Sequence, residues 1–143
     1  MNLSDQDKIE LLTNSHVIAV IGLSPKENRP SHRVAKYLQE FSYTVVPVRP
    51  AVKMILGEKV YKSLSDIPFK VDLVNVFRAS QYIPDIVDEC IQCGIDAIWL
   101  QEGIIHEDAA KKAEKSGMTV IMDQCVYKEI VRLGISLVDT EQK

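Results

Sequence analysis

An α/β fold is expected for this chain: a doubly wound, mostly parallel five-stranded sheet with helices on both faces, in one domain. Three observations predict it. Short apolar, β-branched runs alternate with helically periodic segments along the sequence, the rhythm of a parallel sheet covered on both sides. The first such run ends at a glycine and leads through a polar loop into a helix, a corner suited to holding phosphate. No linker, low-complexity block or repeat divides the 143 residues, about one domain by the usual size prior.

Ser4 and Asp7 fit a capping box that opens a short helix reaching about Leu12. Val17–Ile21 is the first strand. From Pro30, the apolar positions Val34, Ala35, Leu38 and Phe41 recur at helical spacing, and proline suits a first helical turn because its missing N–H costs nothing there. Thr44–Val48 is the second strand, with Pro47 marking where it leaves the sheet. Residues 49–58 read as a loop or short helix closing at Gly57, residues 60–61 as a brief extended piece, and residues 63–68 as a helical turn stopped by Pro68. Residues 71–77 form the third strand. Ser80 is placed to cap the next helix, whose inner face carries Ile83, Ile86, Val87, Cys90 and Ile91 and whose stop is Gly94. Residues 97–100 are the fourth strand, 107–116 a helix ended by Gly117, 118–122 the fifth strand and 126–133 the last helix. Right-handed crossovers make this a Rossmann-like layer. The expected division is an N-terminal helix over 1–15, the main domain over 16–134 and a loosely held tail over 135–143.

Composition removes several function classes. The net charge of −3 argues against nucleic acid or a membrane surface as a bulk electrostatic partner. The polar start, Met1-Asn2-Leu3-Ser4-Asp5, lacks the basic and apolar regions of a signal peptide. No apolar stretch approaches the roughly 18 residues that span a bilayer. Three irregularly spaced cysteines do not make a disulfide framework. A cytoplasmic protein is expected, with a partner protein or a second copy of the chain left open.

Ligands of open α/β sheets bind outside the carboxyl ends of the strands, where strand order reverses. That rule gathers Gly22, Ser24, Pro25, Lys26, Arg29 and Ser31 after the first strand, and Val48, Arg49 and Pro50 at the end of the second. It adds Phe77 and Arg78 after the third strand, Gln101, Glu102 and Gly103 after the fourth, and Asp123, Gln124 and Cys125 after the fifth. One lysine and three arginines thus meet at one edge of an acidic protein, which suits a polyphosphorylated ligand. NAD is disfavoured. Its site wants an acidic residue about 20 residues past a glycine-rich loop, whereas this loop has one glycine and the second strand ends Val48-Arg49-Pro50. An arginine there suits a ribose phosphate, as in NADP or coenzyme A.

These segments resemble the small bacterial and archaeal CoA-binding proteins of the YccU type, themselves similar to the N-terminal CoA-binding domain of the succinyl-CoA synthetase alpha subunit. The resemblance runs from about His16 to Leu133. It rests on Gly22-Leu23-Ser24-Pro25-Lys26 with Arg29-Pro30-Ser31, Val46-Pro47-Val48-Arg49-Pro50, Leu56-Gly57-Glu58-Lys59-Val60-Tyr61, Val76-Phe77-Arg78, Trp99-Leu100-Gln101 and Met122-Asp123-Gln124-Cys125. It implies that Gly22, Ser24, Lys26 and Arg29 hold the phosphates of coenzyme A. It further implies that Arg49 and Pro50 flank the adenosine, that Phe77 and Arg78 line the nucleotide cleft, and that Gln101 faces the pantetheine arm. The chain departs from the family pattern in having Arg49-Pro50-Ala51 for Asn-Pro-Lys, and Gln124 where arginine often precedes the cysteine.

No catalytic residue is assigned. The synthetases' phosphohistidine belongs to a second domain. His16 precedes a strand, His32 lies in the first turn of a helix and His106 precedes a helix; all three read as surface or capping residues. Cys90 and Cys93 fall in the last turn of a helix, where the dipole disfavours a thiolate. Asp85, Asp88 and Glu89 read as a solvated face. Binding of CoA or an acyl-CoA is the leading expectation. A small NADP- or acyl-CoA-dependent enzyme using Glu102 or Cys125, and a CoA-sensing module, are the alternatives.

Overall fold

The computed structural model describes residues 3–136. Most of the expected tail, residues 137–143, lies outside them. The chain runs α1 (Asp5–Asn14), β1 (Val17–Ile21), α2 (Pro30–Glu40), β2 (Thr44–Val48), β3 (Met54–Ile55), β4 (Glu58–Lys59), β5 (Leu73–Val76), α3 (Ile83–Gln92), β6 (Ala97–Leu100), α4 (Glu107–Lys115), β7 (Thr119–Ile121) and α5 (Val126–Arg132). Single 3-10 turns at Leu64–Asp66 and Ser80–Tyr82 complete it. Five strands form one sheet in the order β2-β1-β5-β6-β7, every neighbouring pair parallel. This is the Rossmann-like layer expected from the alternating pattern. Among the described residues no helix is long and apolar enough to cross a membrane.

Two cores sandwich the sheet. One packs Leu12 of α1, Val34 and Leu38 of α2 and Val126 and Ile130 of α5 against Ile18, Val20, Leu73 and Trp99. The other packs Ile83, Val87 and Cys90 of α3 and three alanines of α4 against Ala19, Val46, Val74, Val76 and Ile98. Strand alternation sends successive residues to opposite faces, so Val20 and Ala19 belong to different cores. Asp72 fastens the start of the sheet, its Oδ2 accepting the N–H groups of His16 and Val17 at 2.9 Å each.

Local expectations met mixed outcomes. Ser4 Oγ accepts the Asp7 N–H at 3.1 Å, as the capping box requires. Pro47 sits in β2, an edge strand, where a missing donor is tolerated. Residues 49–58 hold neither a plain loop nor a helix. Met54 pairs with Lys59 and Ile55 with Glu58 in an antiparallel hairpin. Its two turn residues, Leu56 and Gly57, have φ of 53° and 76°, the left-handed pair of a tight hairpin turn. Ser80 does not cap α3. The helix starts three residues later, behind a 3-10 turn, and Ser80 Oγ accepts the Ile105 N–H at 3.1 Å.

Asn75, in the central strand β5, is fully buried. Neither its carbonyl nor its amide nitrogen finds a hydrogen-bond partner among the described residues. An unpartnered buried amide costs about 1–3 kcal/mol. Asn75→Val, a β-branched residue suited to a strand, is therefore expected to raise stability by about 1–2 kcal/mol in urea unfolding. A loss of stability would show that the amide is paired.

Candidate functional site

The chain reverses direction across the sheet between β1 and β5. The connection from β1 goes to β2 on one side, while β5 lies on the other, so the loops leaving β1 and β5 diverge and open a cleft. Gly22 closes β1 at that point. Its N–H donates to the Val48 carbonyl at 2.9 Å, and the Phe77 N–H donates to the Ile21 carbonyl at 2.8 Å. The ends of three strands are thus tied around one residue. Gly22 has φ of +85°, and a Cβ there would stand 2.4 Å from the Phe77 carbonyl oxygen. Glycine is required by both conformation and space.

A cavity of about 450 Å³ opens over this junction. Gly22, Ser24, Pro25 and Lys26 line it from the loop, with Arg29, Pro30 and Ser31 from the start of α2 and Arg49 and Phe77 from the strand ends. Proline at the start of α2 and an N-cap residue without a side-chain cap leave that helix end open to a ligand. Within the loop, the Ser24 N–H donates to Ser31 Oγ at 3.0 Å and the Lys26 N–H donates to Ser24 Oγ at 3.1 Å.

A second cavity of about 190 Å³ adjoins it and shares Gly22 and Arg49. Val48, Pro50 and Arg78 line this one. Arg78 lies over the Tyr82 ring, its guanidinium carbon 4.2 Å from the centroid, a cation–π arrangement. Eleven of the twelve residues expected at the site therefore line one cavity or the other. Gln101 does not. It is buried, and its Oε1 accepts the Val126 N–H at 3.1 Å, capping α5.

Arg49 stands between the cavities. One Nη donates to the Leu23 carbonyl at 3.3 Å. Its Nε is buried and unpartnered among the described residues. Among those residues, no ion pair engages Lys26, Arg29, Arg49 or Arg78; the pairs present use other cations. Four cations without carboxylate partners at one strand edge make a receptive site for an anion.

Several residues were not foreseen here. Lys62, Tyr82, Asp85 and Glu89 also line the second cavity. Asp85 and Glu89 thus form a wall of the cleft rather than a purely solvated face, and only their spacing on one helix side could have hinted at it. Asp88 pairs with Lys112. His32 is buried rather than at the surface, its Nδ1 2.9 Å from the Ser24 carbonyl. His106 does cap a helix, its Nδ1 accepting the Ala109 N–H at 3.1 Å, and His16 is exposed.

The residues weighed for chemistry lie apart from both cavities. Glu102 pairs with Lys128 at 3.0 Å, and Cys125 is buried at the start of α5. Cys90 is buried in the last turn of α3, and burial, with Glu89 beside it, pushes its thiol up to about 12. The exposed Cys93 thiol is also raised, by partial burial first and Glu89 second. Neither is a ready thiolate.

Residues 16–130 match the CoA binding domain family. The chain is 38% identical over 125 residues to the protein YneT of Bacillus subtilis, covering 87% of this chain and 93% of that one. It is 30% identical over 128 residues to an ADP-forming acetate–CoA ligase of Archaeoglobus fulgidus, covering 82% of this chain but 19% of the ligase. A solved structure of a hypothetical protein from Pyrococcus horikoshii superposes with a TM-score of 0.90 at 36% identity, covering 93% of this chain and 94% of that one. The chain belongs to the CoA binding domain family, and the resemblance carried by its motifs holds across the whole sheet.

Proposed function

We propose that this member of the CoA binding domain family binds coenzyme A, or an acyl-CoA, at the carboxyl ends of β1, β2 and β5, and does so without catalysing a reaction of its own. The observation that carries the reading is the buried, unpartnered Nε of Arg49, set between two cavities and among three further unpaired cations. A phosphate bound in the adjoining cavity would set an anion beside this incompletely paired guanidinium. The larger cavity, with Lys26, Arg29, the two serine hydroxyls and the open end of α2, suits a pyrophosphate. The smaller one, with Val48, Pro50 and the Arg78–Tyr82 stack, suits an adenosine. No acid stands after β2 to favour the free ribose hydroxyls of NAD. Glu102 and Cys125 give the enzyme reading no support from their positions, because neither lines either of these two cavities.

Calorimetry with CoA, acetyl-CoA, NADP and NAD tests this. CoA or its acetyl ester is expected to bind best, and undetectable CoA binding at millimolar ligand would sink the proposal. Ligand at about 100 times its dissociation constant adds roughly 2.7 kcal/mol to the stability of the folded state, read as a Tm rise of several degrees. Arg29→Ala removes one charge-assisted contact worth about 1.5–3 kcal/mol. It should therefore weaken CoA about 10- to 150-fold while leaving adenosine nearly unchanged. Equal losses for both ligands would indicate damage to the fold instead.

A further inference from the structure

Ser24 is held through both of its peptide groups by side chains of the helix it leads into. Its N–H donates to Ser31 Oγ, and its carbonyl lies 2.9 Å from Nδ1 of His32. Ser31 and His32 are successive residues in the first turn of α2. They are 6% and 7% exposed, although neither is apolar. A carbonyl only accepts, so Nδ1 must carry the proton, which fixes the ring's tautomer.

This wiring decides what the cavity presents. Ser31 Oγ spends a lone pair on the Ser24 N–H, and Ser24 Oγ spends one on the Lys26 N–H. With those lone pairs turned inward, each hydroxyl keeps its proton for a partner in the cavity that both serines line. Both then act as donors, as an anionic ligand requires. The two bonds hold the two different peptide units that flank Ser24, Leu23–Ser24 and Ser24–Pro25. Together they fix the backbone on both sides of its Cα and with it the direction in which its hydroxyl leaves the chain.

We infer that His32 is a positioning residue for the ligand loop: by donating from Nδ1 to the Ser24 carbonyl, it holds the loop so that the Ser24 and Ser31 hydroxyls offer protons to a phosphate. The phosphate in this statement rests on the CoA reading above; the clamp itself does not. His32 lines neither cavity over the cleft.

Two substitutions separate positioning from packing. His32→Leu keeps bulk and removes the donor. His32→Asn keeps a donor close to the place of Nδ1 at smaller volume. Loss of one such bond to the loop is expected to weaken CoA about 10-fold in the leucine variant, with the asparagine variant within about 3-fold of the parent. Equal weakening of both would assign His32 to packing, and undiminished affinity in His32→Leu would also overturn the inference. Nitrogen-15 spectra of the imidazole in the ligand-free parent protein provide the second readout. Protonated Nδ1 with bare Nε2 supports the clamp. Protonation on Nε2 alone overturns it, whether or not coenzyme A binds and whether or not the leucine variant folds. Failure of the parent protein to bind CoA, with Nδ1 protonated, would strike the ligand reading and leave the clamp standing.

Discussion

Gly22→Ala is expected to lower stability by about 2–5 kcal/mol and to abolish ligand binding at the same time. Two costs add. A side chain at φ of +85° costs about 1–2 kcal/mol. The new Cβ would then stand 2.4 Å from the Phe77 carbonyl oxygen and 3.1 Å from Arg78 Cδ. The arginine can swing aside, but the carbonyl cannot. Its residue donates its own N–H to Ile21 within the sheet, so relief requires parting β1 from β5, an overpacking cost of about 1–3 kcal/mol. Gly57 provides the control. It too has positive φ, 76°, but no atom lies within 4 Å of its added Cβ, so Gly57→Ala should cost only the conformational part, about 1 kcal/mol, and spare binding. Urea unfolding and CoA titration of both variants decide the matter. Equal destabilisation would remove the contact with Phe77 from the explanation.

That contrast shows which features of the site were legible in the sequence. Gly22 was readable because a glycine directly after an apolar strand and before a helix has few other reasons to exist. Arg49 and Arg78 were readable because strand ends in a parallel sheet all open on one edge, so counting strands was enough to bring residues far apart in sequence together. Gln101 obeyed the same rule and still lies off the cavities. Its amide oxygen is taken by the Val126 N–H, a backbone partner that no side-chain pattern reveals. His32 was missed for the same kind of reason, since its partner is a carbonyl eight residues earlier. The β3–β4 hairpin escaped because each strand has two residues and the turn is Leu-Gly rather than Asn-Gly, so neither alternation nor turn chemistry announces it. Ser80 was the reverse case. Its chemistry fits a cap, but the chain first makes a 3-10 turn and the loop after β6 claims its hydroxyl. The layers follow from local periodicity, whereas Gln101, His32 and Ser80 each answer to a backbone partner that only the folded chain brings to them.

Lys8→Ala is expected to cost about 3 kcal/mol and to alter how stability depends on pH. Lys8 stands one helical turn before Leu12 on α1, and both are buried. Its Nζ donates to Gln124 Oε1 and Glu129 Oε1, each at 2.8 Å. Glu129 also receives Arg132 Nε at 2.8 Å, and Arg132 in turn grips Asp5 at 2.7 Å. This network joins α1, which precedes the family-matched residues 16–130, to α5. Removing one member of a buried pair costs about 3–5 kcal/mol, and the lower end applies because Arg132 continues to neutralise Glu129. Arg132 first and Lys8 second hold the Glu129 carboxyl at about 2, below its ordinary 4.5. A carboxyl whose folded pKa lies below its unfolded one stabilises the fold above the unfolded value and loses that contribution as pH falls through the folded one. The stability supplied by Glu129 should therefore be complete above about pH 4.5 and fade toward pH 2. Urea unfolding at steps from pH 7 to pH 3 should show the parent protein losing stability below about pH 4.5, with a shallower fall in Lys8→Ala and the shallowest in Glu129→Gln. Parallel curves for all three proteins would mean that the network does not hold α1 through charge, and that α1 rests on Leu12 and the apolar face of α5 alone.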